Sequence, residues 1–366
     1  MKCTIQTITP VHIGNGKDYG AADYYITKSS KGSLILARAD INKIFASLSQ
    51  DQKEEFIQHL SDPSFQLEDY LKNVLGKIPP KIKIYLARLM SERPPNVDET
   101  IKTMSKPYIP GSSIKGALRT AILYNVISKG DMDQIYNLIR DGNRGSYINF
   151  WDAQKFQNQF FAGNNNDPKY SIMKFLQVSD TETIPNPTIY SMVSLKVGQG
   201  RNEWYSRNGR TVITYAETIG VGRKLNFDLN SNYNPRVHQE LGLLNKEKFL
   251  NIGKIKEYLF KFSRDYIDHE INFAQKYGVD YLEKFYLDIE KINTVDSPLM
   301  RIGFGSGFLS TTIGLRLKEE DNQTYEKVRQ TFKRSYPFEF PKTRKITLLN
   351  KKPGKPLGWV KVINNE

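Results

Sequence analysis

Ile109-Pro-Gly-Ser-Ser-Ile-Lys-Gly-Ala-Leu-Arg119, preceded by Tyr108, is the stretch on which the reading of this chain turns. Pro110 and Gly111 form a turn, and Ser112 or Ser113 is expected to cap a helix. From Ile114 the apolar residues recur at Ala117, Leu118, Ala121, Ile122 and Val126, which is one face of an amphipathic helix. The first helical turn presents free backbone N–H groups, two hydroxyls and Lys115, with Arg119 one turn on. Such a terminus suits an anion, and a backbone phosphate in particular. Gly116 is expected to admit a second backbone close to the helix. The bland alternative is a capped surface helix whose cations are merely solvated.

Composition sets the frame around that helix. The chain has 366 residues, 25% charged and 39% hydrophobic, as in an ordinary globular protein rather than a disordered one. That length allows one large core or two ordinary domains. Lys and Arg number 53 against 39 Asp and Glu, a net charge of +14, which points to a polyanionic partner. With 21 Tyr and 19 Phe, flat rings accompany the cations, a combination suited to single-stranded RNA, whose unpaired bases can stack. Cys3 is the lone cysteine, which rules out an intrachain disulfide or cysteine-based zinc site and fits a reducing cytoplasm. No run reaches the ~20 apolar residues of a membrane span, and Lys2 to Thr9 alternates like a strand rather than a signal segment. A cytoplasmic location without membrane contact is therefore expected.

Working outward, residues 2–9 read as a strand broken by Pro10-Val-His-Ile-Gly-Asn-Gly16. Residues 40–75 read as helical: Asp40 caps a first helix, Ser49 and Gln52 form a capping box for a second, and Phe65 to Leu75 supply a third. A further helix is expected from Ile148 to Phe161, ending at the polar loop Gly163-Asn-Asn-Asn-Asp-Pro168, a natural domain boundary. Strands are expected at 173–178, 189–197, 212–218 and 224–229. A long helical region from 246 to 292, broken near Gly278, places Ile255, Leu259, Phe262 and Tyr266 at core spacing. Two closing strands, 343–348 and 359–363, lie in a basic stretch that offers a solvated face or a secondary RNA or subunit contact.

Three further motifs carry possible chemistry. Gly303-Phe-Gly-Ser-Gly307 is neither a P-loop nor a dinucleotide fingerprint, since no Gly-Lys-Ser/Thr follows and the glycine spacing is wrong. Its alternate glycines expose N–H groups, with Arg301, Ser306, Thr311 and Thr312 nearby. Phe304 and Phe308 either stack on bases or anchor the loop, anchoring being the simpler reading. In Thr9-Pro-Val-His-Ile-Gly-Asn-Gly16, His12 is the one attractive acid/base group among four histidines. A structural or RNA-contacting role is nevertheless the expectation. Asp23 lacks a neighbouring carboxylate cluster of metal-ligand spacing and reads as a turn residue. Asp180 reads as a possible turn cap, and Glu217 to Gly222 as part of a core strand.

The His12 loop, the helix signature Pro110 to Arg119 and the glycine loop, in that order, resemble the RAMP superfamily of CRISPR-associated RNA-binding proteins. That resemblance implies an α+β fold of two tandem ferredoxin-like (RRM-like) domains with helical insertions. They would span 1–170 and 171–366, the second carrying a long helical insertion and the glycine-rich loop. It implies RNA contacts from His12, Gly14, Gly16, Gly111, Ser112, Ser113, Lys115, Arg119, Arg301, Gly303, Phe304, Gly305, Ser306 and Gly307. Within the superfamily, the size, the long helical insert and Lys106 to Arg119 most resemble the family supplying the fifth subunit of the type III-A Csm effector complex. By that resemblance the chain serves antiviral defence as a non-catalytic subunit with no cofactor or metal. It would bind the 3′ portion of a crRNA and cap the backbone filament. Its contacts would be chiefly the backbone RAMP subunit and the small subunit, and it would support crRNA maturation with cellular nucleases. The alternative is a RAMP endoribonuclease that processes precursor crRNA through His12, with Lys115 or Arg119 as electrostatic partner. Backbone subunits of these complexes cut target RNA with an Asp in a loop like that of Asp23, but the residues around Asp23 depart from theirs.

Overall fold

The computed structural model describes residues 1–365 apart from positions 63, 77, 80, 142–149, 199–201 and 332–338. Its centre is the strand Lys2–Thr7, whose Cys3, Ile5 and Thr7 are buried. That strand pairs antiparallel with Lys224–Ser231 on one side and Trp359–Asn365 on the other, so that Ile5 faces both Leu225 and Val362. Leu176–Val178 extends the sheet beyond Lys224–Ser231, and Leu299–Arg301 extends it beyond Trp359–Asn365. The helices Gly111–Val126 and Ile252–Lys276 complete a β-α-β-β-α-β path. The third strand lies between the first and second, and the fourth beside the first, which is the ferredoxin-like order. Leu299–Arg301 is an added edge strand. The fold is α+β, as the sequence implied.

The two helices form because their apolar residues recur at helical spacing, and each turns that stripe inward. Ile114, Leu118, Ala121 and Ile122 are buried from the first; Ile255, Leu259, Phe262 and Tyr266 from the second. The helices meet where Tyr124 and Phe262 lie 4.7 Å apart. The expected break in the long helical region is present: Ile252–Lys276 ends before Gly278, which turns with φ of 61°, and Asp280–Glu290 follows.

A second, larger sheet runs in the order Gly14–Gly20, Asn96–Thr100, Thr214–Thr218, Thr188–Lys196, Lys83–Leu89, Leu34–Ala39 and Tyr24–Lys28. Thr343–Leu349 also pairs with Thr188–Lys196. One side is covered by the expected helices Ile41–Ser47 and Gln50–Leu60 together with Leu67–Asp69, packed through Ile44, Phe56 and Leu67. Asp40 accepts from the Lys43 amide at 3.3 Å, and Ser49 and Gln52 close the expected capping box.

Both sheets draw strands from both sides of residue 170, so chain order and sheet membership do not coincide. The expected strand at 173–178 is shorter, because Ser171 caps a single turn over Ile172–Phe175 before Leu176–Val178 begins. The expected helix 148–161 is described from Phe150, its first two positions lying outside the described residues.

Candidate nucleic-acid interface

The signature helix does not start as its sequence suggested. Pro110 occupies the cap position and neither Ser112 nor Ser113 caps with its side chain. Asp180 does that work: its Oδ1 accepts the Gly111 N–H at 2.8 Å. The close backbone approach falls at Gly111, where an added Cβ would lie 2.3 Å from the Val178 carbonyl oxygen. Around Gly116 nothing lies within 4 Å, so the expectation placed there is corrected. The helix terminus is therefore partly neutralised by a carboxylate. Ser113 and Ile114 donate to the Pro110 carbonyl, which leaves the exposed Ser112 amide without an acceptor among the described residues.

Lys115 and Arg119 stand one turn apart on this helix, half-buried, and form no ion pair among the described residues. Burial lowers the pKa of both, and the Arg119 charge lowers Lys115 further. Arg119 lies 5.1 Å over the Phe161 ring.

The glycine loop leaves Leu299–Arg301 and reverses through three left-handed glycines, with φ of 76° at Gly303, 79° at Gly305 and 82° at Gly307. Its glycine carbonyls are held by neighbouring side chains. Gly303 O accepts from Ser306 Oγ at 2.7 Å, Gly305 O from Arg301 Nη2 at 3.0 Å, and Gly307 O from Thr311 Oγ1 at 2.9 Å. The amides of Gly303, Gly305 and Gly307 make no hydrogen bond among the described residues. These three amides, at alternate positions and without partners among the described residues, offer donors to an anion.

Two side chains expected at the ligand serve this loop from within. Arg301 is 5% exposed, and besides Gly305 it donates to the Leu357 carbonyl at 2.9 Å and the Tyr266 hydroxyl at 2.6 Å. Ser306 is 2% exposed. Phe308 packs against Phe340 at 5.4 Å and anchors the loop, whereas Phe304 is 40% exposed. The Phe304 ring stands edge-on to His12 at 5.7 Å and carries Lys345 Nζ 5.3 Å from its centroid.

His12 is nearly enclosed, with Nδ1 2.7 Å from the Glu217 carbonyl oxygen. Burial lowers its pKa, so the ring is neutral at pH 7, with Nδ1–H as the donor. Its own carbonyl receives the Phe304 amide at 2.8 Å, which joins the first loop to the glycine loop. Gly14 and Gly16 are exposed beyond it.

Beneath His12 lies a cluster the sequence reading missed. The fully buried Glu217 carboxylate accepts from Tyr19 at 2.9 Å, from Tyr85 at 2.7 Å and from Lys102. No local pattern marks it, since its partners come from distant strands. Lys345 was also missed as an individual: the basic closing stretch contained it, but Arg344 beside it turns inward to Glu270 at 2.6 Å. Asp23 accepts from the Gly20 amide and pairs with Arg38 at 3.1 Å, a turn arrangement.

The signature helix and the segment after the glycine loop are neighbours. Thr120 Oγ1 lies 3.5 Å from the Thr311 carbonyl oxygen, and Arg119 and Thr120 line one cavity with Phe308 and Thr312. Among the described residues no group of three His, Cys, Asp or Glu is placed to hold a metal ion. No helix there is long and apolar enough to cross a membrane.

This pairing of a basic signature helix with an amide-lined glycine loop on a ferredoxin-like sheet agrees with what the whole chain matches. Residues 4–310 match the RAMP superfamily, and the chain belongs to that superfamily. Among individual relatives it is similar to a protein of Methanocaldococcus jannaschii described as CRISPR system Cms protein Csm5. That relative is 26% identical, over 99% of this chain and 88% of its own length. A protein of Streptococcus thermophilus with the same description is 24% identical, over 66% of this chain and 67% of its own. The fold matches a chain in the cryo-EM structure of a Csm–crRNA–target RNA ternary complex of a type III-A CRISPR-Cas system. The TM-score is 0.70 at 20% identity, covering 99% of this chain and 100% of the other. The crystal structure of T. onnurineus Csm5 gives 0.63 at 21%, covering 98% and 99%.

Proposed function

We propose that this chain serves as a Csm5-type subunit of a type III-A Csm complex. In this reading it binds the 3′ portion of a crRNA, caps the row of backbone RAMP subunits beside the small subunit, and supports crRNA maturation together with cellular nucleases. Binding, not catalysis, is its contribution. The observation carrying this reading is the glycine loop, whose glycine carbonyls are engaged by side chains while the amides of Gly303, Gly305 and Gly307 have no partner among the described residues. Three such amides, with the exposed Phe304 ring between two of them along the chain, suit a phosphodiester and an adjacent base. The signature helix adds the Ser112 amide, Lys115 and Arg119 alongside.

A nuclease acting through His12 draws less support. A general base must reach a 2′-hydroxyl, yet this ring is almost fully enclosed and its Nδ1 is committed to the Glu217 carbonyl.

Expression of the chain with its neighbouring subunits, followed by extraction and sequencing of the bound nucleic acid, tests the proposal. The expected result is crRNA that keeps a longer, untrimmed 3′ segment when this chain is omitted. Recovery of crRNA with the same 3′ ends in its absence would overturn the capping role. Incubation with repeat RNA in EDTA is expected to yield no cleavage that depends on His12.

A further inference from the structure

We propose that the cavity beside Arg119 receives one unpaired nucleobase of the bound strand, whose adjoining phosphate lies on Arg119 and Lys115. The inference rests on the RNA-binding reading above and adds a site to it. The cavity holds about 260 Å³. That is too small for a peptide helix and ample for one heterocyclic ring. It opens where the signature helix meets the segment after the glycine loop, between the two elements assigned to the RNA backbone.

Its walls suit a flat apolar face. Leu123, Ile135, Phe156, Phe308 and Leu317 line it, and no carboxylate does. Gln157 lines it too, and its carboxamide, without a hydrogen bond among the described residues, offers a donor and an acceptor side by side. A carboxamide in that state can read a base edge through two hydrogen bonds. At the margin, Arg119 Nε is buried and has no acceptor among the described residues. An apolar side chain from a protein partner would fill the walls but leave both the Gln157 amide and Arg119 Nε unsatisfied. A nucleotide meets all three demands together: its ring takes the walls, its edge the amide, and its phosphate the cations.

The test compares a short single-stranded RNA with the same ribose-phosphate chain lacking bases, by fluorescence polarisation on the full chain. Two variants are used, Ile135→Trp to fill the cavity from a half-buried wall and Gln157→Ala to remove the reading group. The base-bearing RNA is expected to lose about tenfold in affinity with Ile135→Trp, within what stacking of one base supplies. The abasic chain should bind this variant as it binds the wild type. Gln157→Ala is expected to level the affinities for oligo-A, oligo-C and oligo-U. If a natively folded Ile135→Trp chain binds both RNAs unchanged, or weakens both equally, the base site is overturned while RNA binding stands. If the wild-type chain binds neither RNA, the RNA reading itself fails and this inference with it.

Discussion

The His12 carbonyl oxygen accepts the Phe304 amide proton at 2.8 Å, and this bond ties a loop near the start of the chain to the glycine loop near its end. The contact requires Gly303, because a Cβ there would lie 2.4 Å from the same oxygen, and φ is 76°. Gly303→Ala is expected to destabilise the fold by ~1–3 kcal/mol, the cost typical of a strained backbone position. Gly116→Ala should do the reverse. It removes a helix-interior glycine with open space around it, so a gain of up to about 1 kcal/mol is expected. Chemical denaturation of the two variants beside wild type checks both signs in one experiment.

Arg301 shapes the glycine loop from beneath without facing a ligand. Its three donors meet Leu357 O, Tyr266 Oη and Gly305 O. Arg301→Leu orphans the buried Leu357 carbonyl and the partly buried Gly305 carbonyl, so a loss of about 2–3 kcal/mol is expected. Arg301→Lys keeps the charge but cannot span three acceptors in one plane. It should fold, with RNA affinity reduced because the Gly305 carbonyl is released. If Arg301→Lys binds RNA as the wild type does, the inward carbonyl is not what presents the amides.

Glu217 and Lys102 form a buried pair under the His12 loop, with the Lys102 side chain 7% exposed and Glu217 fully enclosed. Lys102→Met leaves a carboxylate facing two tyrosine hydroxyls and the Thr100 amide without its cation. A loss of about 3–5 kcal/mol is expected, as for other broken buried pairs. Lys102→Met with Glu217→Gln should recover much of it, which a double-mutant cycle measures.

Those residues also mark where sequence reading ends. The strand Lys2–Thr7, the capping box at Ser49 and the break at Gly278 are written in local patterns, and the structure carries each. The partners of Lys2–Thr7 are not local: Thr4 meets Asn226 across 222 positions. Gly14–Gly20 was missed because it is an edge strand with five exposed residues in a row and no alternation. For the site, the helix signature and the glycine loop were legible as motifs, but their orientation was not. Whether Arg301 faces outward or inward, and whether Gly111 or Gly116 meets a second backbone, depends on tertiary neighbours that no spacing encodes.

Acid should weaken the fold through buried histidines. Burial, and then the Lys318 charge, lower the His269 pKa from 6.5 to about 4. The unfolded chain therefore binds the extra proton first, and stability falls as pH drops from 6.5 towards 4. At 1.36 kcal/mol per pH unit the loss from His269 reaches about 3 kcal/mol. His12 acts in the same direction. Burial opposes the Glu339 charge, but bonds from Lys318 and Lys276 hold its pKa down to about 2, so its contribution is lost only below pH 4.5. Burial raises the Glu319 and Asp268 pKa values, which act in the opposite sense. The His269 share is therefore read from urea midpoints of wild type and His269→Gln between pH 7 and pH 4.5, the variant showing the flatter slope.

Lys115 and Arg119 lie on the face that this reading gives to phosphates, and neither has a carboxylate partner among the described residues. Replacing both with Ala should weaken single-stranded RNA of any sequence to a similar degree. The dependence of log affinity on log salt should become shallower by ~1.4, since each phosphate contact on a single strand contributes about 0.7. Lys291→Ala, which removes a solvent-exposed lysine at the end of the helix Asp280–Glu290, paired there with Asp288, should leave the slope unchanged. A double variant that folds normally, loses affinity and yet keeps the wild-type slope would mean that the loss comes from helix packing, such as Arg119 over Phe161, rather than from phosphate contact.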